Sequence, residues 1–336
     1  ELFLNYRIAR DKYQPDYFLY ENNKSMSPAI RAQITAELGV EPVLINSALV
    51  SAQNRQRLYW VGKRESDGTY SQVAVEQPVD RGILLRDILE SGAVTWHEKA
   101  YTLRASAATK QGVSNVLRHI ETNGHFGYMG VAEPVNMTAD GKAQCLRATY
   151  YKDGIRNLVG NAVDRKTCVA MPVGMATGPK SILVVTAAGK SVPVYEVRNG
   201  KIAIKGEEYP IKLADGFYII RKLTVTECKR LQTVPEEYVF PVSDTQAYKM
   251  LGNGWTVDVI VHIMSHFTGL SSEPVEVLSM YDGMSCGHIA LDKLGANVTS
   301  YYATEIDKYA IQTTQHNFPD TVQLGDAFQV RDDDWR

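Results

Sequence analysis

The sequence feature that most constrains the fold is an alternation of strand-like and helix-like segments near the C-terminal end. VEVLSM (Val275 to Met280) has the pattern of a short buried strand, and it runs into the turn YDGMSCG before a helix that ends near Gly295. A second strand, VTSYYA, precedes a helix from Asp307 to Asn317, and a third strand runs from Thr321 to Leu324. This β-α-β-α-β order predicts a parallel sheet with right-handed crossovers and a ligand crevice at the carboxyl ends of the strands.

The N-terminal end shows a similar pattern. YFLY (Tyr17 to Tyr20) predicts a strand, as do the later segments VLI and RLYWV. Ser27 followed by Pro28 predicts the N-cap and first residue of a helix that stops at Gly39. We therefore expect the two ends of the chain to form one α/β layer.

Between these ends, the pattern breaks into short strands, glycine turns and polar loops, which indicates a second, irregular domain that is rich in β-strands. A length of 336 residues is enough for about two domains. The predicted organisation is a catalytic-type α/β segment at 1–63, the second domain at 64–220, a return segment at 221–268, a linker at 269–274, and the first half of the α/β domain at 275–336.

Composition and charge exclude several classes of protein. With 44% hydrophobic and 22% charged residues the chain is typical of a folded soluble protein, and no apolar run approaches the ~20 residues of a membrane span. The net charge of -2 excludes a uniformly basic nucleic-acid binder, although residues 97–166 hold ten Lys or Arg against six Asp or Glu. The cysteines show no CxxC spacing, so neither a metal site nor a disulfide framework is expected, and a reducing cytoplasm fits: Cys145, Cys168, Cys228 and Cys286.

One internal similarity lies in the second domain. KAYTLRAS and KAQCLRAT share the frame KAxxLRA at an offset of 43 residues. The similarity is either a coincidence between two strands or a pair of related loops that each present an arginine, Arg104 and Arg147, to one ligand surface. Two copies are too few for a solenoid.

The turn after the first C-terminal strand has features of a nucleotide-type site. Gly283 and Gly287 allow a tight turn, and Glu305 follows Gly283 by 22 residues at the end of the next strand, close to the spacing of about 20 of a ribose-binding acid. Asp326 ends the third strand. The pattern favours nucleotide or adenosyl binding over a purely structural turn. The chain has no GxxxxGK[ST] motif, which argues against an NTPase.

Several motifs together resemble those of the DNA cytosine-5 methyltransferases. VLSMYDGMSCG, ATEID and GDA are similar to the three cofactor motifs, in the FDGxxxG form of phage and animal de novo enzymes. PDYFLYENN resembles the ENV motif, SAQNRQRLYW the QxRxR motif, RKLTVTECKRLQTVP the RxLTxxExxRLQGFP motif, and YKMLGNGWTVDVIVHI the GNS motif. LFLNYRIAR resembles the amphipathic segment before the ENV strand. The resemblance implies a Rossmann-like methyltransferase sheet and a target-recognition domain.

The order of these motifs is unusual, because the family begins with the cofactor motifs and this chain ends with them. The segment GLSSEP joins them to the GNGW helix. A permutation is physically reasonable, since that helix is expected beside the first strand of the same sheet. The chain also departs from the family in having GNGW for GNSV and ENN for ENV.

The resemblance implies a catalytic group at the end of the first strand. Cytosine C5 is a poor nucleophile, so the family first adds a thiolate to C6, and a group near N3 must stabilise the developing charge. Glu21 is expected to do so by protonation. Arg57 would contact the cytosine O2 and Arg55 would support Arg57 and Glu21. The alternative is an ordinary capping glutamate and a solvated basic strand.

The implied cofactor is S-adenosylmethionine, with S-adenosylhomocysteine as product. Glu305 would hold the ribose hydroxyls and Asp326 the adenine amino group, while Asn253 and Gly254 would line the methionine end. The other implied cofactor residues would give flat faces or frame the turn: Leu2, Trp255, Tyr281, Asp282, Gly283, Ser285, Gly287, Ile306 and Ala327.

The implied partner is double-stranded DNA from which the target base is flipped out. Arg104 and Arg147 are candidates for reading guanine in the major groove, and Lys99 and Lys142 for contacting phosphates. Gln53, at the start of the QxRxR-like motif, is a further candidate DNA contact. No metal and no membrane are expected, and the implied location is the cytoplasm of a bacterial or phage-infected cell.

The family nucleophile is the cysteine of a Pro-Cys pair, and this chain contains no Pro-Cys dipeptide. The cofactor motifs stop at Arg336 and the next family segment resumes at Glu1, so the gap falls on the loop that carries the nucleophile. We expect that this loop was omitted from the sequence, that it lies on a second polypeptide, or that the protein binds DNA and cofactor without catalysis. The amino methyltransferases are a further class, but the chain lacks their [DNS]PP[YFW] motif.

Overall fold

The computed structural model of the chain describes residues 1–90, 92–103, 105, 131–134, 182–185, 191–204 and 207–332. These residues divide into two compact units. The first unit comprises Glu1–Ile83, Thr102–Ala105 and Lys229–Arg336, and the second comprises Leu84–Tyr101 and Ser106–Cys228.

The described helices, in chain order, are α1 (Leu2–Tyr13), α2 (Pro28–Leu38), α3 (Leu85–Ile88), α4 (Val225–Leu231), α5 (Asp244–Asn253), α6 (Val257–Met264), α7 (Cys286–Lys293) and α8 (Lys308–Asn317). The described strands are β1 (Tyr17–Asn23), β2 (Pro42–Asn46), β3 (Gln56–Arg64), β4 (Tyr70–Gln72), β5 (Val131–Pro134), β6 (Ile182–Val185), β7 (Ser191–Arg198), β8 (Lys201–Ile204), β9 (Glu207–Pro210), β10 (Gly216–Arg221), β11 (Val275–Met280), β12 (Val298–Thr304) and β13 (Val322–Gly325). Two 3-10 helices span Ser47–Leu49 and Ala327–Asp332.

The C-terminal alternation folds as predicted. Strands β11, β12 and β13 form a parallel sheet in that order, with Val277 opposite Tyr301 and Tyr302 opposite Val322. Helices α7 and α8 provide the two crossovers. Because the strands are parallel, their carboxyl ends meet at one edge, where the turn that begins at Tyr281 and the segment after Thr304 lie side by side.

Helix α2 also begins and ends as predicted. The Ser27 hydroxyl accepts a hydrogen bond from the Ile30 amide, and Pro28 occupies the first turn. Gly39 ends the helix with a left-handed φ of 74°.

The N-terminal strands differ from the prediction of a single α/β layer. They form a separate antiparallel sheet of order β1-β3-β2, with β4 added to β3, and within the described residues no strand pair joins this sheet to the parallel one. The antiparallel direction of β2 and β3 follows from their connection, which spans only residues 47–55 and contains a short 3-10 helix. A parallel return would need a crossover of a dozen or more residues.

The two ends of the chain nevertheless pack in one unit. Ala9 of α1 and Val330 of the last 3-10 helix are both buried in one apolar cluster. Leu278, Met280 and Leu324 of the parallel sheet pack against that cluster. The N-terminal helix therefore covers a face of the C-terminal sheet.

Helix α6 and the junction that follows it are part of the same unit. Its core-facing residues Val257, Val259, Ile260 and Ile263 are fully buried. Beyond the helix, the chain enters residues 269–274, in which the Leu270 carbonyl accepts a hydrogen bond from Asn297 at 2.7 Å. This short segment leads directly into β11.

The described part of the second unit is mainly β-structure. An antiparallel sheet of order β5-β10-β7-β8-β9, with β6 paired to β7, encloses a core that includes Trp96, Val197, Ile202 and Ile220. Residues 64–83 lie in the first unit, because β4 pairs with β3, whereas residues 221–228 lie in the second. None of the described helices has the length and apolar character that crossing a membrane requires.

Candidate functional site

The turn after β11 places three alternate left-handed residues at the edge of the parallel sheet. Tyr281, Gly283 and Ser285 have φ values of 59°, 60° and 56°. A Cβ added at Gly283 would meet no atom within 4 Å, so the space above this turn is open. The turn is thus a tight backbone loop that faces an open crevice.

Glu305 ties this turn to the end of β12. Its Oε2 accepts a hydrogen bond from the Gly283 amide at 2.8 Å, and its Oε1 accepts from the amides of Ile306 and Asp307 at 2.7 and 2.8 Å. The half-buried carboxylate is therefore held in a fixed orientation by three backbone donors. This is the arrangement expected of an acid that also accepts hydrogen bonds from a sugar.

Asp282 is directed into the protein instead of the crevice. Its carboxylate accepts hydrogen bonds from the hydroxyls of Ser279 at 2.6 Å, Tyr301 at 2.9 Å and Ser285. Burial raises the pKa of the Asp282 carboxyl, although the three hydroxyl donors oppose that rise. Asp282 therefore shapes the turn from beneath.

Apolar side chains line the open side of the crevice. Ile306 is 74% exposed, Leu2 57%, Tyr281 40% and Phe328 36%, which is unusual for large apolar residues at the edge of one sheet. Asp326, at the end of β13, is exposed and accepts a hydrogen bond from the Phe328 amide at 2.9 Å. Ala327 beside it is buried.

The GNGW segment adjoins the same turn. A Cβ at Gly254 would lie 3.0 Å from Cys286 Sγ and 3.2 Å from the Met250 carbonyl, so a larger residue would crowd both neighbours. A Cβ at Gly287 would lie 3.0 Å from the Tyr301 hydroxyl and 3.8 Å from the Trp255 ring. Trp255 is thereby brought against the first turn of α7, while Asn253 is exposed.

Glu21 reaches this site from the end of β1. Its Oε2 accepts a hydrogen bond from Trp255 Nε1 at 3.2 Å, and its Oε1 lies 2.9 Å from Arg57 Nε. Burial raises the pKa of the Glu21 carboxyl above its ordinary value, although Arg57, Arg55 and Trp255 act in the opposite direction. Trp255 thus contacts both Glu21 and the segment that follows β11, which we call the cofactor-type turn (Tyr281 to Gly287).

Arg55 and Arg57 occupy different positions. Arg57 pairs with Glu21, whereas Arg55 is buried and its guanidinium donates to the carbonyls of Leu103 and Gly254 at 2.9 Å and of Gly252 at 3.4 Å. Burial lowers the pKa of Arg55 to about 10. The expected support of Glu21 by Arg55 is therefore electrostatic, because its hydrogen bonds go to backbone carbonyls.

A polar depression of about 480 Å³ lies beside the Glu21 and Arg57 pair. It is lined by Lys24, Ser25, Asn54, Gln56, Arg57 and Thr102. Lys24 Nζ donates to Gln56 Oε1 at 2.6 Å, and among the described residues no carboxylate forms an ion pair with Lys24. The depression thus carries positive charge at its rim.

Two of the candidate DNA contacts, Gln53 and Lys99, are among the described residues. Gln53 is fully buried, and its Oε1 accepts a hydrogen bond from the Leu103 amide at 3.1 Å, so in this conformation it presents no atom to DNA. Lys99 is half-buried in the second unit. Arg104, Lys142 and Arg147 fall outside the described residues.

Comparison with known proteins identifies the family. A family model for the C-5 cytosine-specific DNA methylases matches residues 1–268. The chain belongs to the C-5 cytosine-specific DNA methylase family. This confirms the family that the motifs indicated.

Individual relatives of the family agree. The chain is 26% identical over 271 residues to the type II methyltransferase M.HpaII of Haemophilus parainfluenzae, a match that covers 77% of this chain and 62% of the relative. It is 28% identical over 269 residues to the type II methyltransferase M1.ScrFI of Lactococcus lactis subsp. cremoris, covering 76% and 51%. Over 40 residues it is 55% identical to the type II methyltransferase M.SsoII of Shigella sonnei, covering 12% and 11%. The chain spans less than two thirds of the length of the first two relatives.

Members of the C-5 cytosine-specific DNA methylase family act on DNA with S-adenosylmethionine as methyl donor.

Neither described cysteine resembles an activated nucleophile. Cys286 and Cys228 are buried, and burial raises the pKa of both thiols, that of Cys286 to about 12. Cys145 and Cys168 fall outside the described residues. In the described ranges no cluster of His, Cys, Asp and Glu could hold a metal ion.

Three residues at this candidate site were not predicted from the sequence. Asn5 is fully buried between Tyr281 and Arg331, Phe328 is exposed beside Asp326, and Lys24 lies at the rim of the depression. For Phe328 the sequence signal was weak: an apolar residue two positions after Asp326. Asn5 on the apolar side of an amphipathic helix was a stronger signal, since a buried amide needs partners.

Proposed function

We propose that the first unit is the cofactor-binding and base-binding part of a DNA cytosine-5 methyltransferase. One observation carries the proposal: the Glu21 carboxylate accepts a hydrogen bond from Trp255, and Trp255 lies against Gly287 in the cofactor-type turn. An acid from the N-terminal sheet and a crevice of the C-terminal sheet thus face the same space. A carboxylic acid beside a methyl-donor site is what methylation of cytosine C5 requires.

The residues of the crevice fit S-adenosylmethionine. The open space above Gly283 leaves room for the ligand, and the exposed side chains of Leu2, Tyr281 and Ile306 offer apolar surface to a purine. Glu305 would hold the ribose hydroxyls and Asp326 the adenine amino group. The methionine end would lie along Asn253 and Gly254, while the remaining residues shape the turn or adjoin the ligand: Trp255, Asp282, Ser285, Gly287 and Ala327.

When bound, S-adenosylmethionine supplies an electrophilic methyl group. Glu21 holds a proton for cytosine N3, which offsets the negative charge that develops when a thiolate adds to C6. The raised pKa of its carboxyl favours this protonated form. Arg57, 2.9 Å from Glu21, orients that carboxyl and is positioned to contact the base at O2.

The base would enter through the depression beside Arg57. Taking cytosine out of the stack costs a few kcal/mol, which protein contacts must offset. The positive rim of the depression favours a phosphodiester backbone at its mouth. We propose that the DNA sequence is selected by residues of the second unit together with the segment 102–105, with Arg104 and Arg147 reading guanine and with Lys99 and Lys142 at phosphates.

The thiolate is proposed to come from a Pro-Cys segment that these 336 residues do not contain. The chain has no Pro-Cys dipeptide, and its described cysteines are buried with raised pKa values. The segment belongs either to a longer form of this polypeptide or to a second polypeptide.

The test is covalent trapping on DNA that contains 5-fluorocytosine, prepared with mixed sequence because the recognised sequence is unknown. The chain is incubated with labelled S-adenosylmethionine and this DNA, alone and with a polypeptide that carries the Pro-Cys segment. Labelled covalent complex that forms only when the segment is supplied supports the proposal.

A second candidate is a protein that binds DNA and cofactor without catalysis. The absence of a Pro-Cys dipeptide favours it. Cofactor binding and DNA retention with no trapped complex, even with the segment supplied, would support this candidate and reject the first.

A further inference from the structure

The crevice is assembled from three segments that are distant in sequence. Leu2 lies at the start of α1, Tyr281 in the turn after β11, and Phe328 in the last 3-10 helix. All three expose apolar surface, and the Tyr281 hydroxyl donates a hydrogen bond to the Leu2 carbonyl. Asn5, which is fully buried, lies among these segments.

Asn5 connects the three segments by hydrogen bonds. Its Nδ2 donates to the Tyr281 hydroxyl at 3.3 Å, and its Oδ1 accepts from Arg331 Nε at 2.6 Å. The Tyr281 hydroxyl in turn donates to the Leu2 carbonyl at 3.1 Å. We call this set, formed by Asn5, Tyr281, Arg331 and the Leu2 carbonyl, the Asn5 clamp.

The clamp holds residues that packing alone leaves poorly constrained. Tyr281 is a non-glycine residue with a left-handed φ of 59°, and 40% of its surface is exposed. Its hydroxyl bonds therefore fix a ring that few neighbours enclose. Arg331, held by Asn5, lies 5.1 Å from the centre of the Phe328 ring and so links that ring to the same network.

The clamp is also a property of this chain in particular. Its turn begins YDG, whereas the FDGxxxG form that it resembles has phenylalanine at this position and no hydroxyl to accept from Asn5. A fully buried asparagine needs partners for both of its polar atoms, and Tyr281 and Arg331 provide them.

We propose that Asn5 is a positioning residue for cofactor binding, which holds Leu2, the Tyr281 ring and the segment of Phe328 around the ligand without touching it. The inference rests on the proposed cofactor site. It predicts that cofactor affinity depends on α1 through the Tyr281 hydroxyl. It also predicts that bound cofactor in turn stabilises α1.

The test measures the affinity of S-adenosylhomocysteine by isothermal titration calorimetry for the full chain and four variants. Tyr281→Phe removes one hydroxyl and keeps the ring, and it should weaken binding about 3- to 10-fold, the effect of one hydrogen bond. Asn5→Leu should weaken binding at least as much. The effects of Tyr281→Phe and Asn5→Leu should be less than additive in the double variant, because both single changes remove the hydrogen bond between Asn5 and Tyr281. Asn5→Asp keeps an acceptor for Arg331 but has no N–H to donate to the Tyr281 hydroxyl, so it should weaken binding about as much as Tyr281→Phe.

The control and a second measurement separate positioning from general stability. Tyr302→Phe removes a hydroxyl of β12 for which the described residues offer no hydrogen bond, and it should leave affinity unchanged. Hydrogen exchange should show that the ligand protects the amides of α1 in the wild type and less so in Tyr281→Phe, at equal occupancy.

The outcomes are distinguishable. If the wild type does not bind S-adenosylhomocysteine, the proposed cofactor site is wrong and this inference fails with it. If the wild type binds, but Tyr281→Phe and Asn5→Leu bind equally well or their effects simply add, only the clamp is rejected.

Discussion

Glu21 is held by two donors, Arg57 at 2.9 Å and Trp255 at 3.2 Å, and yet burial raises the pKa of its carboxyl. Both donors favour the ionised form, so the desolvation of the charge outweighs them. In an acid with a raised pKa, the protonated form survives to higher pH. The raised pKa therefore favours the protonated form that could donate to a base.

Glu21→Gln tests this role. With the Pro-Cys segment supplied, methyl transfer should fall by about 10²- to 10⁴-fold, the range for loss of a general acid. The rate of the wild type should decline as pH rises through the pKa of Glu21, because the proton is then lost, and the variant should lack that decline. Rates measured across pH check both points, with S-adenosylhomocysteine affinity as the control. A variant with wild-type rates would contradict the assignment.

Arg55 has different partners from Arg57, although the two residues lie only two positions apart at the start of β3. Its guanidinium satisfies buried carbonyls of Leu103, Gly252 and Gly254. Arg55→Met should lower the free energy of unfolding by about 3 kcal/mol, since it leaves these acceptors without a charged donor. Urea denaturation measures the loss. Arg31→Met, at an exposed position of α2, is the matched control and should change stability by less than about 0.5 kcal/mol.

At the scale of elements, the start of α7 and the end of α5 meet at a distance that leaves little room for a side chain larger than glycine. Gly254 has Cys286 Sγ 3.0 Å and a backbone carbonyl 3.2 Å from the position of a Cβ, whereas Gly283 has no atom within 4 Å. The two glycines are therefore present for different reasons. Gly254 allows two elements to approach, while Gly283 allows a left-handed turn.

Comparing Gly254→Ala with Gly283→Ala separates these reasons. Gly254→Ala should lower stability by about 1–3 kcal/mol through overpacking and should displace Trp255, which a change in tryptophan fluorescence would report. Gly283→Ala should cost about 1–2 kcal/mol through its left-handed φ and leave that fluorescence unchanged. Equal fluorescence changes in both variants would show that contact with Cys286 is not what places Trp255.

At the scale of the whole molecule, the first unit depends on contact between residues near opposite ends of the chain. Ala9 is 2% exposed and packs with Val330, and Leu278, Met280 and Leu324 of the parallel sheet pack against this pair. Burying a charge at this point is costly because Ala9 packs among apolar side chains.

Ala9→Glu should therefore destabilise the first unit by more than about 3 kcal/mol and abolish cofactor binding. Ala29→Glu, on the exposed face of α2, is the matched control and should do neither. Thermal unfolding and titration with S-adenosylhomocysteine measure the two effects. Retained cofactor binding in folded Ala9→Glu would show that the crevice does not need α1.

The sequence by itself determined the family, the parallel C-terminal sheet and the helix that begins at Ser27 and ends at Gly39. These are local: strand and helix periods, caps and glycine turns are set by neighbouring residues. It also indicated Glu21, Glu305 and Asp326 as acids at strand ends, because strand ends are visible in the pattern.

The tertiary structure decided how the strands and side chains are arranged. Only the fold shows that β1, β2 and β3 form their own antiparallel sheet, that Arg55 binds carbonyls while Arg57 binds Glu21, and that Gln53 is buried. Strand direction depends on connections and on which partner buries each face, and side-chain pairing depends on residues that lie far apart in sequence, such as Asn5 and Arg331. A pattern along one chain specifies periods and turns, but these contacts exist only after remote segments pack together.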